Sequence, residues 1–454
     1  MDLAQKQYKK MTETPIPKLI TTLAIPTIIS MLVTSVYNTA DTFFVSQLGT
    51  SATGAVGVVY PLMAIIQAVG FMIGMGSGAV VSRLLGKQDY THANKIASTA
   101  LFMAITAGLL LTLGGITNLD NLMRLLGATE TILPYARDYA SIILFNAAIA
   151  CSSFVLNNQL RAQGKATLSM IGIAFGGILN IFLDPLFIFG FDLGISGAAY
   201  ATILSQIISF FIMLYMIYSK QSQIHMSIKA ISTNIKDYTS IIVNGFPSLC
   251  RQGLGSIASI TLNSTAAIFG DAAVAAVSVN NRIFQLLFSV LLGFGQGYQP
   301  VIGYNYGAKR FDRVKESFKF TFITSLAMSI SIGVIGFIFA PTVISWFSES
   351  DTLMIQIGIT TMRFQCVAIM FQPISTIGNM TFQSIGKSLQ ATILSCCRQG
   401  IFFFPLIYAL PKYFGLLGIE MTQAGADICT CIFCIPFLLY FFKFIKQEEL
   451  RNQS

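Results

Sequence analysis

Two aspartates stand in stretches of this chain that are otherwise apolar: Asp41 and Asp184. Asn180 lies four residues before Asp184 and shares its face of a helix. Thr202, Asn157 and Tyr139 add hydroxyl and amide groups in neighbouring apolar stretches. Two carboxylates with amide and hydroxyl oxygens nearby form a hard donor set. Sodium takes such ligands, by analogy with other hard cations. A proton can use the same pair, because two close carboxylates resist joint ionisation and titrate as a unit. The plainer alternative is that each aspartate caps a kink or bonds a neighbouring hydroxyl.

The second half of the chain carries a different set: Arg251, Arg282, Arg363, Arg398, Glu420 and Asp427. These can pair as ion bridges, line a cavity, or contact an anionic substrate group. Arg282 and Arg363 are candidates for lining a cavity or a substrate path, as are Tyr139 and Asn157. Arg398 sits where a side chain could snorkel to the cytoplasmic end of its span. Pro26 and Pro247 fall early in equivalent apolar stretches. A proline there frees a backbone carbonyl and acts either as a fixed kink or as a hinge.

The elements that must position these groups are membrane spans. The chain has 454 residues, 54% hydrophobic and only 10% charged. Soluble proteins carry roughly 25% charged residues, so this composition excludes a soluble multidomain enzyme. A span needs about 20 mostly apolar residues. Twelve stretches qualify: 18–47, 55–82, 96–117, 132–159, 168–190, 195–218, 239–268, 276–303, 317–342, 354–382, 390–410 and 419–442. The expected fold is therefore all-α, with twelve transmembrane helices. Ionisable groups inside spans are costly, about 2.5–3.5 kcal/mol each even on insertion scales, and so become functional candidates.

The net charge is +9, and the positions of the charges explain it. Of 28 Lys and Arg residues, 21 fall in the two ends and in alternate loops, all on one side of the membrane. The positive-inside rule puts that side, with both termini, in the cytoplasm. The excess needs no nucleic-acid partner. The expected location is the inner cell membrane, multi-pass, with the lipid bilayer as permanent partner. The first apolar run is too long for a cleavable signal peptide.

Other chemistry lacks its parts. Eight cysteines lie in apolar surroundings and read as packing residues, the Cys431-Cys434 CxxC spacing included. The two histidines, His92 and His225, fall in polar loops, so a zinc site or a nucleophilic triad is not expected. No GxxxxGK[ST] motif occurs, and no ATPase subunit or cofactor is implied. Gly70, Gly74 and Gly78 read as a helix-packing stripe and not as a dinucleotide fingerprint.

An internal repeat organises the chain. Shifted by 221 residues, Pro26 falls on Pro247, Gly49 on Gly270, Gly76 on Gly297, Gly86 on Gly307 and Gly194 on Gly415. Each half holds six spans, so the halves share one orientation, as parallel transporter repeats do. The expected organisation is a six-helix lobe at 1–218, a cytoplasmic linker at 219–237 and a second six-helix lobe at 238–454. The two lobes face each other across a cavity. The repeat partner of Asp41 is Leu262, and that of Asp184 is Pro405. Any cation site therefore belongs to the first lobe alone.

In order along the chain, several short stretches resemble the multidrug and toxic compound extrusion (MATE) family. They include Ala24-Ile25-Pro26, Asp41-Thr42-Phe43-Phe44-Val45, Arg161-Ala162-Gln163-Gly164, Leu183-Asp184-Pro185 and Gly194-Ile195-Ser196-Gly197. Later ones are Gly303-Tyr304-Asn305-Tyr306-Gly307 and Gln383-Ser384-Ile385-Gly386. The resemblance spans nearly the whole chain. It implies a secondary active exporter that couples inward Na+ or H+ movement to efflux of small amphipathic or cationic compounds by alternating access, working as a monomer. It also implies a cation site at Asp41, Asn180, Asp184 and Thr202, with the backbone carbonyl of Ala198 one turn before the threonine. Tyr139 and Asn157 match polar positions of the same lobe. Family members with acids in spans 7 and 10 differ from this chain, which has Arg251 and Arg363 there. The alternative is a flippase or a dedicated exporter for a lipid-linked or anionic metabolite.

Overall fold

The computed structural model describes residues 3–347 and 352–453. A short helix, α1 (Leu3–Glu13), precedes the first span. The first half continues with α2 (Ile16–Ser46), α3 (Thr50–Gly86), α4 (Tyr90–Thr117), the short α5 (Leu119–Leu125), α6 (Leu133–Phe145), α7 (Ala147–Ala162), α8 (Ala166–Pro185) and α9 (Gly194–Tyr218). The second half has α10 (Ile235–Ala267), α11 (Asp271–Gly307), α12 (Phe311–Ser345), α13 (Thr352–Ile369), α14 (Gln372–Ser384), α15 (Ser388–Cys396), α16 (Phe403–Phe414) and α17 (Leu416–Gln453). There is no strand among the described residues.

Ten helical stretches among the described residues are long and apolar enough to cross a membrane by themselves. The pair α6 and α7, bent by 49° at Asn146, makes an eleventh. The twelfth is α10. It has the length, 33 residues, but polar side chains such as Asn244, Arg251, Gln252 and Ser256 dilute its apolar face. These are the twelve spans expected from hydropathy, in two lobes. Two π-helical turns, Leu186–Gly190 after α8 and Cys397–Ile401 after α15, interrupt the fifth span and its repeat partner.

The repeat is visible in the backbone. Gly49 and Gly270 take φ of 111° and 99°, and Gln88 and Lys309 take φ of 61° and 57°, each pair 221 residues apart. The same symmetry builds the contact between the halves. A side chain at Gly86 would strike the carbonyl of Tyr304, and one at Gly307 would strike the carbonyl of Arg83. Gly76 lies against Gly245, and Gly297 lies against Ala24. So α3 crosses α10 and α11, and α2 crosses α11, with backbones nearly touching. Small residues permit this approach, and in lipid such packing is what holds helices together.

These crossings lie in the halves of the helices nearest the two chain ends, and they form a closed floor. Arg83 fixes it by donating to the carbonyls of Ser384 at 2.8 Å and Gln383 at 3.3 Å, and to Asn244 Oδ1 at 3.1 Å. Helix α1 lies beneath. Gln7 Nε2 donates to the carbonyl of Gln163 at 2.8 Å, and Asn305 Nδ2 donates to the carbonyl of Met11 at 3.2 Å. The segment between α9 and α10 is pinned to α4. Ser227 N donates to Ser98 Oγ at 3.0 Å, and Ser232 N donates to Thr99 Oγ1 at 2.9 Å.

Candidate functional site

Above the floor the halves part around a cavity of about 940 Å³. Its wall comes from the far parts of α2, α3, α10 and α11, together with α7, α8, α9, α13 to α15 and α17. On α2 the lining begins at Met31, whereas every buried position but Val45 lies between Ile16 and Ser30. The cavity therefore belongs to the side away from both chain ends.

The sequence-predicted acidic pair sits in the first-half wall. Gly176 and Gly177 bring three helices together there. A side chain at Gly177 would meet Val33 and Tyr37 of α2, and one at Gly176 would meet Ser205 and Ser209 of α9. Asn180 and Asp184 follow on the face of Gly177, three and seven residues on, and so are carried to the α2 seam. Asp184 is fully buried, and Asn180 and Thr202 are nearly so. Asn180 Nδ2 donates to Asp184 Oδ1 at 3.0 Å and reaches Thr202 Oγ1 at 3.5 Å. Asp41 of α2 lines the cavity and lies within electrostatic reach of Asp184, Tyr139 and Tyr37. Ala198 is fully buried one turn before Thr202 in α9. The start of that helix passes tightly over the π-turn, where Gly197 touches the backbone of Phe187.

Four oxygens in this cluster are buried without a hydrogen-bond partner: Asp41 Oδ1, Asp184 Oδ2, Asn180 Oδ1 and Tyr139 Oη. Leaving such groups unpaired costs about 1–3 kcal/mol apiece, more if charged. Every one of them can accept. A small hard cation would satisfy several together. A transition-metal site is a different matter: among the described residues no three His, Cys, Asp or Glu side chains converge.

The other expected residues divide. Asn157 lines the cavity and donates to Ser169 Oγ, so its amide is engaged beside the cluster. Arg282 lines the cavity from α11. Arg363 is not among the lining residues. It is exposed, with its guanidinium 5.2 Å from the ring centre of Phe337 on α12. Its side chain lies against α12 and outside the cavity, so a lining role for Arg363 is corrected. Arg398 does not snorkel either. The π-turn at Cys397–Ile401 turns it onto the cavity wall, where Nε pairs with Asp427 Oδ1 at 2.6 Å. Asp427 also accepts from Gln372 at 2.9 Å and Gln423 at 3.2 Å. Pro26 and Pro247 lie inside α2 and α10 beside the crossings of the floor. The stripe of Gly70, Gly74 and Gly78 packs on Phe154 and Asn158 of α7, as expected of a packing motif.

Hydropathy gave no sign of a second polar cluster at the floor. Arg161 of α7 is buried and donates to Gln296 Oε1 and, at 2.7 Å, to Asn158 Oδ1. Arg251 of α10 donates to Asn379 Oδ1 at 3.2 Å and Met75 Sδ at 3.3 Å. The signal that could have found it is the placement of Arg161 at the end of a span and of Arg251 four residues after Pro247.

A family model described as MatE matches residues 26–186 and again 247–409, two copies that begin 221 residues apart. The chain belongs to the MatE family. The MATE match thus restates the repeat read from glycines and prolines. The multidrug export protein MepA of Staphylococcus saprophyticus is 27% identical over 409 residues, covering 89% of this chain and 90% of that protein. MepA of Staphylococcus aureus strain MRSA252 is 26% identical over 437 residues, covering 94% of each. Among solved structures, an outward-facing multidrug-resistance MATE family transporter of the MOP superfamily superposes with a TM-score of 0.92 at 27% identity, over 97% of this chain and 99% of that one. The chain is thus a multi-pass membrane protein whose family and relatives are transporters, not enzymes.

Proposed function

We propose that this MATE protein is a secondary active exporter of small amphipathic compounds, cationic dyes and drugs among them, driven by an inward cation gradient. It acts as a monomer in the inner membrane with both termini in the cytoplasm, organised as lobes 1–218 and 238–454 joined by the linker 219–237. The single observation that carries the coupling is the group of four unpartnered buried oxygens around Asp41 and Asp184. It favours Na+ over H+. A proton satisfies one carboxylate, whereas an amide oxygen and a phenol oxygen would still lack partners. Asp41, Asn180, Asp184 and Thr202 would hold the ion, with the Ala198 carbonyl and Tyr139 beside them.

The cycle follows from the two faces of the structure. Here the floor is shut and the cavity lies on the outer side, the state from which substrate leaves and the cation enters. Binding of the ion draws α2 and α8 together through Asp41 and Asp184. Pro26, about four turns from Asp41, lets α2 bend in response and loosens its crossing with α11. At 100 mV one inward charge supplies about 2.3 kcal/mol, on the scale needed to bias such a two-state transition.

The test is ethidium efflux from proteoliposomes with sodium and proton gradients imposed separately. The sodium gradient alone should drive transport. Equal transport by the proton gradient alone would overturn the choice of ion, and no response to either would overturn gradient coupling.

A further inference from the structure

The buried polar atoms that lack partners are not of one kind. Around Asp41 they are oxygens, whereas at the floor there is a donor, Gln296 Nε2. Gln296 is 1% exposed and lines both the main cavity and a chamber of about 20 Å³ beneath it. Arg161 occupies its Oε1, which leaves the amino end unmatched. Arg251 lines the main cavity and reaches, at 3.3 Å, the Sδ of Met75, which lines the small chamber with Gln296 and Arg161.

Among the described residues neither arginine has a carboxylate partner. The ion pairs among the described residues involve other groups. Among the described residues Arg251 donates to the amide of Asn379 and the thioether of Met75, a weak acceptor, although a guanidinium carries five N–H donors. Two guanidinium groups at the base of a cleft with apolar walls repel each other and want an anion. The remaining charged pair on this wall, Arg398 with Asp427, is already neutral as a unit.

We propose that the floor is a subsite for the anionic group of an amphiphilic substrate: a carboxylate, sulfonate or phosphate. Arg251 supplies paired N–H donors from the second lobe, and Gln296 supplies a third. Arg161, from the first lobe, is a positioning residue: it holds the Gln296 amide in register and adds its charge from behind. The apolar body of the ligand lies along Phe71, Phe154 and Phe288, which line the same cavity. The cavity thus accepts molecules with a negative end as well as cations. This rests on the export function proposed above only for the direction of transport, since binding can be read alone.

The probe is 1-anilinonaphthalene-8-sulfonate, an amphiphilic sulfonate, titrated against the full chain in phosphatidylcholine nanodiscs with the empty-disc signal subtracted. Ethidium serves as its cationic counterpart. Arg251→Gln should weaken sulfonate binding at least about tenfold, the loss of one charge-assisted hydrogen bond, while ethidium binding does not weaken. Arg251→Lys should recover part of the loss. Unchanged sulfonate affinity in Arg251→Gln would overturn the proposal, and so would equal weakening of both probes, which marks a damaged cavity. Octanesulfonate should displace the probe far better than inorganic phosphate does. Equal competition by phosphate would overturn the amphiphile requirement, and loss of probe binding in discs doped with phosphatidylglycerol would assign the floor to a lipid headgroup instead. Failure of gradient-driven ethidium efflux in the unaltered protein bears on the proposed function and leaves these binding results standing.

Discussion

Asn180 donates to Asp184 across one helical turn at 3.0 Å, so its amide oxygen is left facing no donor. The arrangement neutralises nothing. It orients an acceptor beside two carboxylates, and oriented acceptors are what a cation site requires. Asn180→Ala removes the acceptor and frees Asp184 to rotate. Sodium-driven ethidium efflux in proteoliposomes should fall at least about tenfold, the worth of one such interaction. Thr202→Val should lose a similar factor and Thr202→Ser much less. Wild-type rates in Asn180→Ala would remove the residue from the site.

Asp41 and Asp184 come from different helices, and in the proposed cycle they act on one ion. Residues that act as a unit are strongly non-additive. Asp41→Asn and Asp184→Asn should each abolish gradient-driven efflux, and the double variant should be no worse than either. Transport rates that multiply in the double variant would show two independent roles.

The floor is closed by backbone approach at Gly86 and Gly307, so it tolerates no side chain there. Gly86→Val forces α3 from α11. Overpacking of this kind costs about 1–3 kcal/mol. The expected result is a lower melting temperature in detergent, together with increased labelling of a cysteine placed at Ser82 from the side of the chain ends. Unaltered melting and labelling would mean that the crossing relaxes freely.

Arg398 and Asp427 form the tightest ion pair on the second-lobe wall. Removing one partner of a buried pair leaves a charge unmatched, typically at about 3–5 kcal/mol, whereas removing both is far milder. Because Arg398 borders the cavity, the loss falls at the low end. Asp427→Asn should destabilise the protein, and Asp427→Asn with Arg398→Gln should recover most of the loss in thermal unfolding.

The segment between α9 and α10 is held to α4 through Asp237 in the first turn of α10, which takes hydrogen bonds from Ser232 at 2.5 Å and His92 at 3.1 Å. Asp237→Asn should loosen residues 219–234. Hydrogen exchange there should quicken while that of α3 and α11 is unaltered. Equal protection in the variant would shift the anchoring to Ser98 and Thr99.

Much of this was legible in the chain itself. The spans follow from runs of apolar residues, and the repeat follows from glycines and prolines that must recur wherever backbones touch or bend. Asp41 and Asp184 stood out because a carboxylate in lipid needs a reason. Side-chain direction was not legible. Arg363 and Arg398 look alike in sequence, two arginines in apolar spans. One lies on an outward face over Phe337, and the other is swung onto the cavity wall by a π-turn that no hydropathy pattern announces. The Arg161–Gln296 contact was hidden for a second reason: it joins residues 135 apart, from opposite lobes.

The polarity of α10 has a consequence for how the chain is made. The helix fails the apolarity that the other spans meet, because the face that carries Arg251 and Gln252 looks into the cavity. Such a segment gains little by entering lipid alone. Its natural shelter is α3, whose Gly76 receives the backbone at Gly245 and which precedes α10 along the chain. The first lobe is therefore expected to act as an insertion partner for the second. Biogenesis of the second half in isolation should stall at its first helix, and co-expression of the two halves as separate chains should rescue it.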